Sequence, residues 1–103
     1  MKYCLMPLKT RPFDEILRWE AEFCDVIWYD RTLALQQNIK DGSKTIDPEI
    51  KKGMLASMRR MEKQYGKKKL RTYYKDDFEW GMLNGKLSAL RWVLGDDWDM
   101  LDT

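Results

Sequence analysis

The chain contains no histidine, the side chain that serves most often as a general base and as a metal ligand. It has only two cysteines, Cys4 and Cys24, too few for a disulfide framework or a zinc site. Cys24 falls within an apolar helical pattern, so we expect a small buried side chain there rather than a reactive thiol. These absences predict a protein of a reducing compartment that holds no metal and no cofactor and is not an enzyme.

Long apolar runs are also missing from the sequence. No run approaches the ~18 residues that a membrane-spanning helix requires, and Pro7 and Pro12 interrupt the start of the chain too early for a signal peptide. We therefore expect a cytoplasmic protein with no membrane partner. Hydrophobic residues make up 44% and charged residues 35% of the 103 residues, which is typical of one globular domain covering residues 1–103.

Three amphipathic patterns predict an all-α helical bundle. The helices are expected over about residues 12–41, 47–65 and 77–94. Asp47 and Asp76 are suited to be N-caps, and Glu79 completes a capping box with Asp76. Gly42 and Gly95 follow the first and third patterns and are suited to left-handed helix ends. We expect the third helix to lie centrally, between the other two.

The segments outside the helices have distinct compositions. We expect an extended N-terminal arm over 1–11, a basic connector over 66–76, and an acidic tail over 96–103 that includes a short helical turn. The tail lacks the glycine and the distal glutamate of a calcium-binding loop, so no metal site is predicted there. Net charge is +2 overall, but residues 44–75 carry +8 and residues 76–103 carry −5. The two parts either face different partners or attract each other.

The first helix carries two apolar lines that point in different directions, so it is expected to face two layers. Trp19, Val26 and Leu33 belong to the second line, and we interpret them as the interface of a homodimer. Glu20 and Arg31 lie within the same broad stripe but are three turns apart. In an antiparallel pairing of two first helices, Glu20 of one chain would meet Arg31 of the other. The alternatives are partners on other helices of the same chain, or water at the edge of the stripe.

The third helix contains two glycines where alanine would be more favourable by about 1 kcal/mol. Gly81, Gly85 and Ala89 recur every fourth residue and so form one line of small side chains. Such a line allows a neighbouring helix or an inserted aromatic ring to approach closely, and the added contact would offset the glycine penalty. We predict close helix packing at these three positions, within the chain or against a partner.

The basic stretch from residue 51 to residue 75 contains ten lysines and arginines with tyrosines among them. Cations bind phosphates, and tyrosine rings can stack on bases, so nucleic-acid binding is an alternative function. The candidate contacts are Lys52, Arg59, Lys63, Lys67, Lys68, Lys69, Arg71, Tyr73 and Tyr74. The competing interpretation is a solvated basic face that the acidic tail neutralises.

The C-terminal segment DFEWGMLNGKLSALRWVLGDDWDMLDT, over about 27 residues, resembles the ending of small helical bacterial and phage-type hypothetical proteins. The resemblance implies no activity, cofactor or catalytic residue. From the residues themselves, the leading expectation is a non-catalytic protein-interaction or regulatory module that self-associates as a homodimer. Nucleic-acid binding ranks second, and an enzyme of unrecognised type third.

Overall fold

A computed structural model of the chain describes residues 9–98, and within them the chain forms four α-helices and no strand. The helices are α1 (Phe13–Lys40), α2 (Pro48–Tyr65), α3 (Lys67–Arg71) and α4 (Asp77–Val93). The all-α class is confirmed, and the three long helices lie within one residue of their predicted limits. In residues 9–98, no helix combines the length and apolarity that crossing a membrane requires.

The helix ends form where the side-chain chemistry predicts them. Asp47 accepts a hydrogen bond from the backbone N–H two residues on, at 2.8 Å, and Asp76 accepts one from the N–H of Glu79, at 2.9 Å. Gly42 and Gly95 adopt φ angles of 81° and 112°, which residues with a Cβ rarely adopt. Backbone hydrogen bonds of the Schellman pattern close both of these ends.

The central helix of the bundle is α1. α4 packs along one side of it, and α2 and α3 pack along the other, while α2 and α4 make no contact with each other within residues 9–98. The prediction that the helix over 77–94 lies centrally is therefore wrong. Both apolar lines of α1 contribute to the core of the chain, through Ile27 and Val26 respectively.

All four helices contribute to the core. Its most deeply buried members are Val26 and Tyr29, which are 1% and 0% exposed, and both come from α1. The other buried apolar residues are Ile27, Met58, Leu70, Leu83 and Leu87. Each such side chain stabilises the fold by about 1.5–3 kcal/mol. The core is small, and much of each outer helix remains outside it.

The predicted basic connector contains a helix that the sequence did not reveal. Gly66, with a φ of 93°, ends α2 and allows the chain to turn directly into the single turn of α3. Leu70 points inward from α3 and is only 4% exposed. The connector over 66–76 is thus a docked turn of helix followed by five non-helical residues, 72–76.

The chain ends are described only in part. Residues 9–12 have no regular structure, as expected for the arm, and residues 94–98 contain no helical turn. The predicted C-terminal helical turn is therefore absent from the part of the tail that the structure describes. Residues 1–8 of the predicted arm and 99–103 of the predicted acidic tail lie outside the described residues.

Candidate interaction surfaces

Hydrogen bonds from tyrosine hydroxyls to carboxylates join α1 to α2 and to the segment 72–76 that follows α3. The pairs are Tyr29 with Glu62 (2.5 Å), Tyr65 with Asp25 (2.8 Å), Tyr73 with Glu22 (2.6 Å) and Tyr74 with Asp30 (2.7 Å). Hydrogen bonds to ionised acceptors are short and comparatively strong. Three acidic residues of α1, namely Glu22, Asp25 and Asp30, therefore accept hydrogen bonds from neutral phenols, and Glu22 also pairs with Lys69 at 3.4 Å.

These phenols hold their protons more tightly than exposed tyrosines do. Burial, and after it the hydrogen bond to the Asp30 carboxylate, raises the pKa of Tyr74 to about 12. The same two causes raise the pKa of Tyr65 and Tyr73 well above the ordinary value of 10.0. Ionising any of these hydroxyls would place a phenolate beside a carboxylate.

We therefore expect the fold to lose stability at alkaline pH. Between about pH 10 and 12 the unfolded chain releases phenolic protons that the folded chain retains, so the free energy of unfolding falls as the pH rises. Below about pH 10 these tyrosines are protonated in both the folded and the unfolded chain, so they do not make the free energy of unfolding depend on pH. Urea unfolding at a series of pH values measures the effect, and Tyr74→Phe should make the fall shallower. An identical alkaline slope in Tyr74→Phe would contradict this account.

The structure does not place the predicted α1 interface on the surface as a unit. Val26 is 1% exposed and belongs to the core, so its assignment to a dimer interface is wrong. Leu33 packs against the same core and is half-buried. Trp19 alone keeps substantial exposure, at 37%, with its ring 5.6 Å from that of Phe23.

The two charged residues of the predicted α1 interface also have different surroundings from those expected. Glu20 Oε2 lies 3.4 Å from Arg91 Nε, so its cation comes from α4 of the same chain. Arg91 additionally donates to the Cys24 sulfur at 3.4 Å. Arg31 is exposed and lines a small cleft beside Asn84. The alternative of partners within the chain therefore holds for Glu20.

Gly81, Gly85 and Ala89 make no close helix contact inside the chain. All three are exposed, and a Cβ built on either glycine meets no atom within 4 Å. The prediction of close packing within the chain is wrong, because α4 turns its leucine stripe, including Leu83 and Leu87, toward α1. The line of small residues faces outward.

The open surroundings of these glycines give a direct stability prediction. Gly81→Ala should raise the free energy of unfolding of the monomer by about 0.5–1 kcal/mol, because alanine has the higher helix propensity and meets no neighbour. Chemical denaturation at nanomolar concentration, followed by tryptophan fluorescence, measures this effect. Gly66→Ala is the opposite control, because its positive φ makes a side chain unfavourable. A destabilised Gly81→Ala monomer would show a hidden contact at this position.

Large apolar side chains flank the small residues on this exposed side of α4. Phe78 is 75% exposed, Met82 46%, Trp92 48% and Val93 53%, and Trp98 stacks on Trp92 with ring centroids 4.9 Å apart. The α4 outer face is defined here as Phe78, Gly81, Met82, Gly85, Ala89, Trp92 and Val93. At 100° per residue it fills a sector of about 120° that contains no charged residue. This is a second apolar face, opposite the one that packs on α1.

A cleft of about 670 Å³ adjoins the α4 outer face, between α4 and the first half of α1. Trp19 and Phe23 line it from α1, and Met82 lines it from α4. Lys86 borders the cleft and turns its Nζ toward the Phe23 ring, 6.0 Å from the centroid. Met82 belongs to both, so the α4 outer face borders the cleft, whose lining also includes the charged residues Arg11, Glu15 and Glu79.

Comparison with known proteins adds no further information to these surfaces. No protein-family model, curated protein or solved structure matches this chain. Within residues 9–98, no cluster of three or more cysteine, aspartate or glutamate side chains could hold a metal ion. The surfaces must therefore be interpreted from their own chemistry, and the resemblance of the C-terminal segment stays a prediction.

The predicted nucleic-acid contacts fall into two groups. Five cations on the outer sides of α2 and α3 are exposed, and none of them makes an ion pair with a carboxylate of residues 9–98. We call these residues the basic surface: Lys52, Arg59, Lys63, Lys67 and Lys68. Lys69 and Arg71 instead face α1. Lys69 pairs with Glu22, and Arg71 Nε lies 3.4 Å from the Tyr29 hydroxyl.

The two tyrosines predicted to stack on bases are used in packing. The Tyr73 ring meets Phe23 edge to face, with centroids 6.5 Å apart, and the Tyr74 ring lies 4.9 Å from Trp80. Both residues are half-buried, and their hydroxyls are bound to α1 carboxylates. Nucleic-acid binding would therefore depend on the cations of the basic surface, without stacking by Tyr73 and Tyr74.

Proposed function

We propose that this protein is a non-catalytic interaction module that self-associates, and that it does so through the α4 outer face rather than through α1. One observation supports the proposal. A helix already packed through one apolar face presents a second that is free of charge and carries Phe78, Met82, Trp92 and Val93. Contiguous exposed apolar patches on small proteins are typical of interaction sites.

The use of the buried polar groups agrees with a non-catalytic role. The tyrosines of the core donate to carboxylates and thereby fix the helices relative to one another. The half-buried thiol of Cys24 accepts a hydrogen bond from Arg91, which also pairs with Glu20. These groups act as structural connections between helices.

Sedimentation equilibrium at micromolar concentrations tests the proposal. We expect the wild-type chain to associate and Met82→Lys to be monomeric with unchanged helical content, because the lysine places a charge in the apolar face. Ile50→Lys is the matched control, since Ile50 is also exposed, at 62%, but lies on α2. A wild-type chain that stays monomeric, or equal association of both variants, would overturn the proposal.

Nucleic-acid binding is a second candidate, favoured by the exposed cations of the basic surface, which make no ion pair within residues 9–98. All five side chains are exposed on the outer sides of α2 and α3. Such a surface would bind phosphates irrespective of sequence, with an affinity that falls steeply as salt rises.

Anisotropy titrations of generic DNA and RNA at two salt concentrations test this second candidate. Replacing Lys63, Lys67 and Lys68 with alanine should weaken binding by about tenfold or more for every sequence and flatten the salt dependence. Lys86→Ala on α4 serves as the control and should bind as the wild type does. Equal binding by the triple variant would exclude the basic surface as the contact.

A further inference from the structure

We infer that the occupant of the α4 outer face is a second copy of the same face, with the two α4 helices antiparallel and the two-fold axis at Gly85. The inference rests on the proposed function and adds the partner and its geometry. The stated arrangement would bring Phe78 of one copy to Trp92 of the other. It would bring Gly81 to Ala89, and Gly85 to Gly85 on the axis itself.

Two pairs of residues along the face are evenly spaced about Gly85, while Met82 and Val93 have Ser88 and Asp77 as their counterparts. Phe78 and Trp92 each lie seven residues away from Gly85, and Gly81 and Ala89 each lie four residues away. A two-fold axis perpendicular to an antiparallel helix pair makes one interface patch serve both copies. Such an axis would therefore place an aromatic ring against an aromatic ring at both ends and small residues against small residues in the middle.

The centre of the face is open to a close approach. A Cβ added at Gly81 or Gly85 meets nothing within 4 Å, so no side chain of the same copy would have to move aside. Two helix backbones that approach through glycine gain many dispersion contacts, which offset the helix-propensity penalty of these residues. The nearest cation, Lys86, is turned toward the Phe23 ring and leaves the middle of the face clear.

The distribution of aromatic rings favours the antiparallel direction. One end of the face carries Phe78, and the other carries Trp92 with Trp98 stacked on it. In a parallel pair the two stacked tryptophan pairs would meet at one end and the two smaller Phe78 rings at the other, so the helices would splay. In the antiparallel pair each end holds one Phe78 ring and one stacked pair of Trp92 and Trp98. The two helix dipoles also point in opposite directions.

The area of the face is close to what a stable dimer needs. An aromatic side chain presents about 150–250 Å², so the exposed parts of Phe78, Met82, Trp92, Val93 and Trp98 amount to on the order of 600 Å². A standard interface buries ~800 Å² from each partner. The backbone of the glycine line and the rim of the adjoining cleft supply further surface.

Cysteine cross-linking tests both the partner and the direction, in a background with Cys4→Ser and Cys24→Ala. Gly85→Cys should form a disulfide dimer on mild oxidation, because the axis places the two sulfurs together. Phe78→Cys alone and Trp92→Cys alone should not, since identical residues would be about 21 Å apart in the antiparallel pair. A mixture of these two variants should cross-link to each other. Ala56→Cys, exposed on α2, is the control that should stay uncrosslinked.

Each departure from this pattern has a defined meaning. Self-cross-linking of Phe78→Cys or Trp92→Cys would overturn the antiparallel arrangement. A chain that sediments as a dimer without cross-linking at Gly85→Cys would overturn this geometry while leaving self-association intact, whereas a monomeric wild type would overturn both proposals.

A second variant tests the same geometry without any cysteine cross-link. Gly85→Leu should fold as the wild type does, since its side chain enters open space in the monomer. On the axis the same leucine would hold the two helices apart, so we expect dimerisation to weaken by about tenfold or more. Unchanged dimerisation of a folded Gly85→Leu chain would overturn the inference.

Discussion

Replacing Tyr29 with alanine should lower the free energy of unfolding by about 4 kcal/mol, as truncation of a buried aromatic side chain generally does. Tyr29 is fully buried at the point where α1 meets α2 and α3. Its hydroxyl donates a hydrogen bond to Glu62 and accepts one from Arg71. Domains of this size have a total stability on the order of 5–15 kcal/mol. Urea unfolding followed by circular dichroism measures the loss.

Tyr29→Phe separates the two contributions of this side chain. The ring stays in place and only the hydroxyl is lost, so we expect a loss of about 1 kcal/mol. If both variants lost the same amount, the hydrogen bond to Glu62 rather than the ring would dominate. If Tyr29→Ala were as stable as the wild type, α1 would not be the central helix.

Leu87→Ala should destabilise the fold by about 3 kcal/mol, while Trp92→Ala, on the same helix, should change its stability by less than about 0.5 kcal/mol. Leu87 is 6% exposed and packs α4 onto α1, whereas Trp92 is 48% exposed and lies on the α4 outer face. The larger side chain is therefore expected to matter less for folding. Chemical denaturation at concentrations below the range of association measures both variants.

The same pair of variants should behave in the opposite way in an association experiment. Trp92→Ala should weaken self-association, because it removes an aromatic ring from the proposed interface. A large loss of monomer stability in Trp92→Ala would mean that the α4 outer face supports the monomer fold and is not reserved for a partner.

Local sequence signals were enough to predict the limits of the long helices. Asp47 and Asp76 cap their helices through contacts with adjacent backbone N–H groups, and Gly42 and Gly95 end theirs by adopting positive φ angles. These determinants lie within a few residues of the boundary they set, so they can be recognised without knowledge of the fold. The short α3 lacked any comparable signal, because its three lysines resemble a solvated loop.

The relative placement of the helices could not be predicted in the same way. The two apolar lines of α1 indicated contact with two layers, but periodicity does not tell whether a layer belongs to the same chain. Val26 was assigned to a partner because the first helix has more apolar surface than one neighbouring layer was expected to cover. In the structure Val26 belongs to the core of the chain itself, and α4 has the exposed second face.

The partners of the acidic residues were also beyond sequence reasoning. Charge counts related the basic stretch only to the acidic tail, whereas Asp25, Glu22 and Asp30 accept hydrogen bonds from tyrosines far along the chain. Such pairings depend on tertiary distances. The exposed Phe78 and Trp92 did have a signal, since they flank the line of small residues on the helical wheel, but nothing in the pattern showed that this side faces outward.

The separation of the bundle into two flanks has a consequence for its motions. Among the helices of residues 9–98, α4 contacts only α1, and its Trp80 ring also meets Tyr74, so α4 can open while the Tyr65–Asp25 hydrogen bond still fastens α1 to α2. Its amide protons can then exchange with solvent as a cooperative group of their own, at a lower opening free energy than those around Tyr29. Dimerisation through α4 would slow this amide exchange, so the local opening of α4 would depend on assembly.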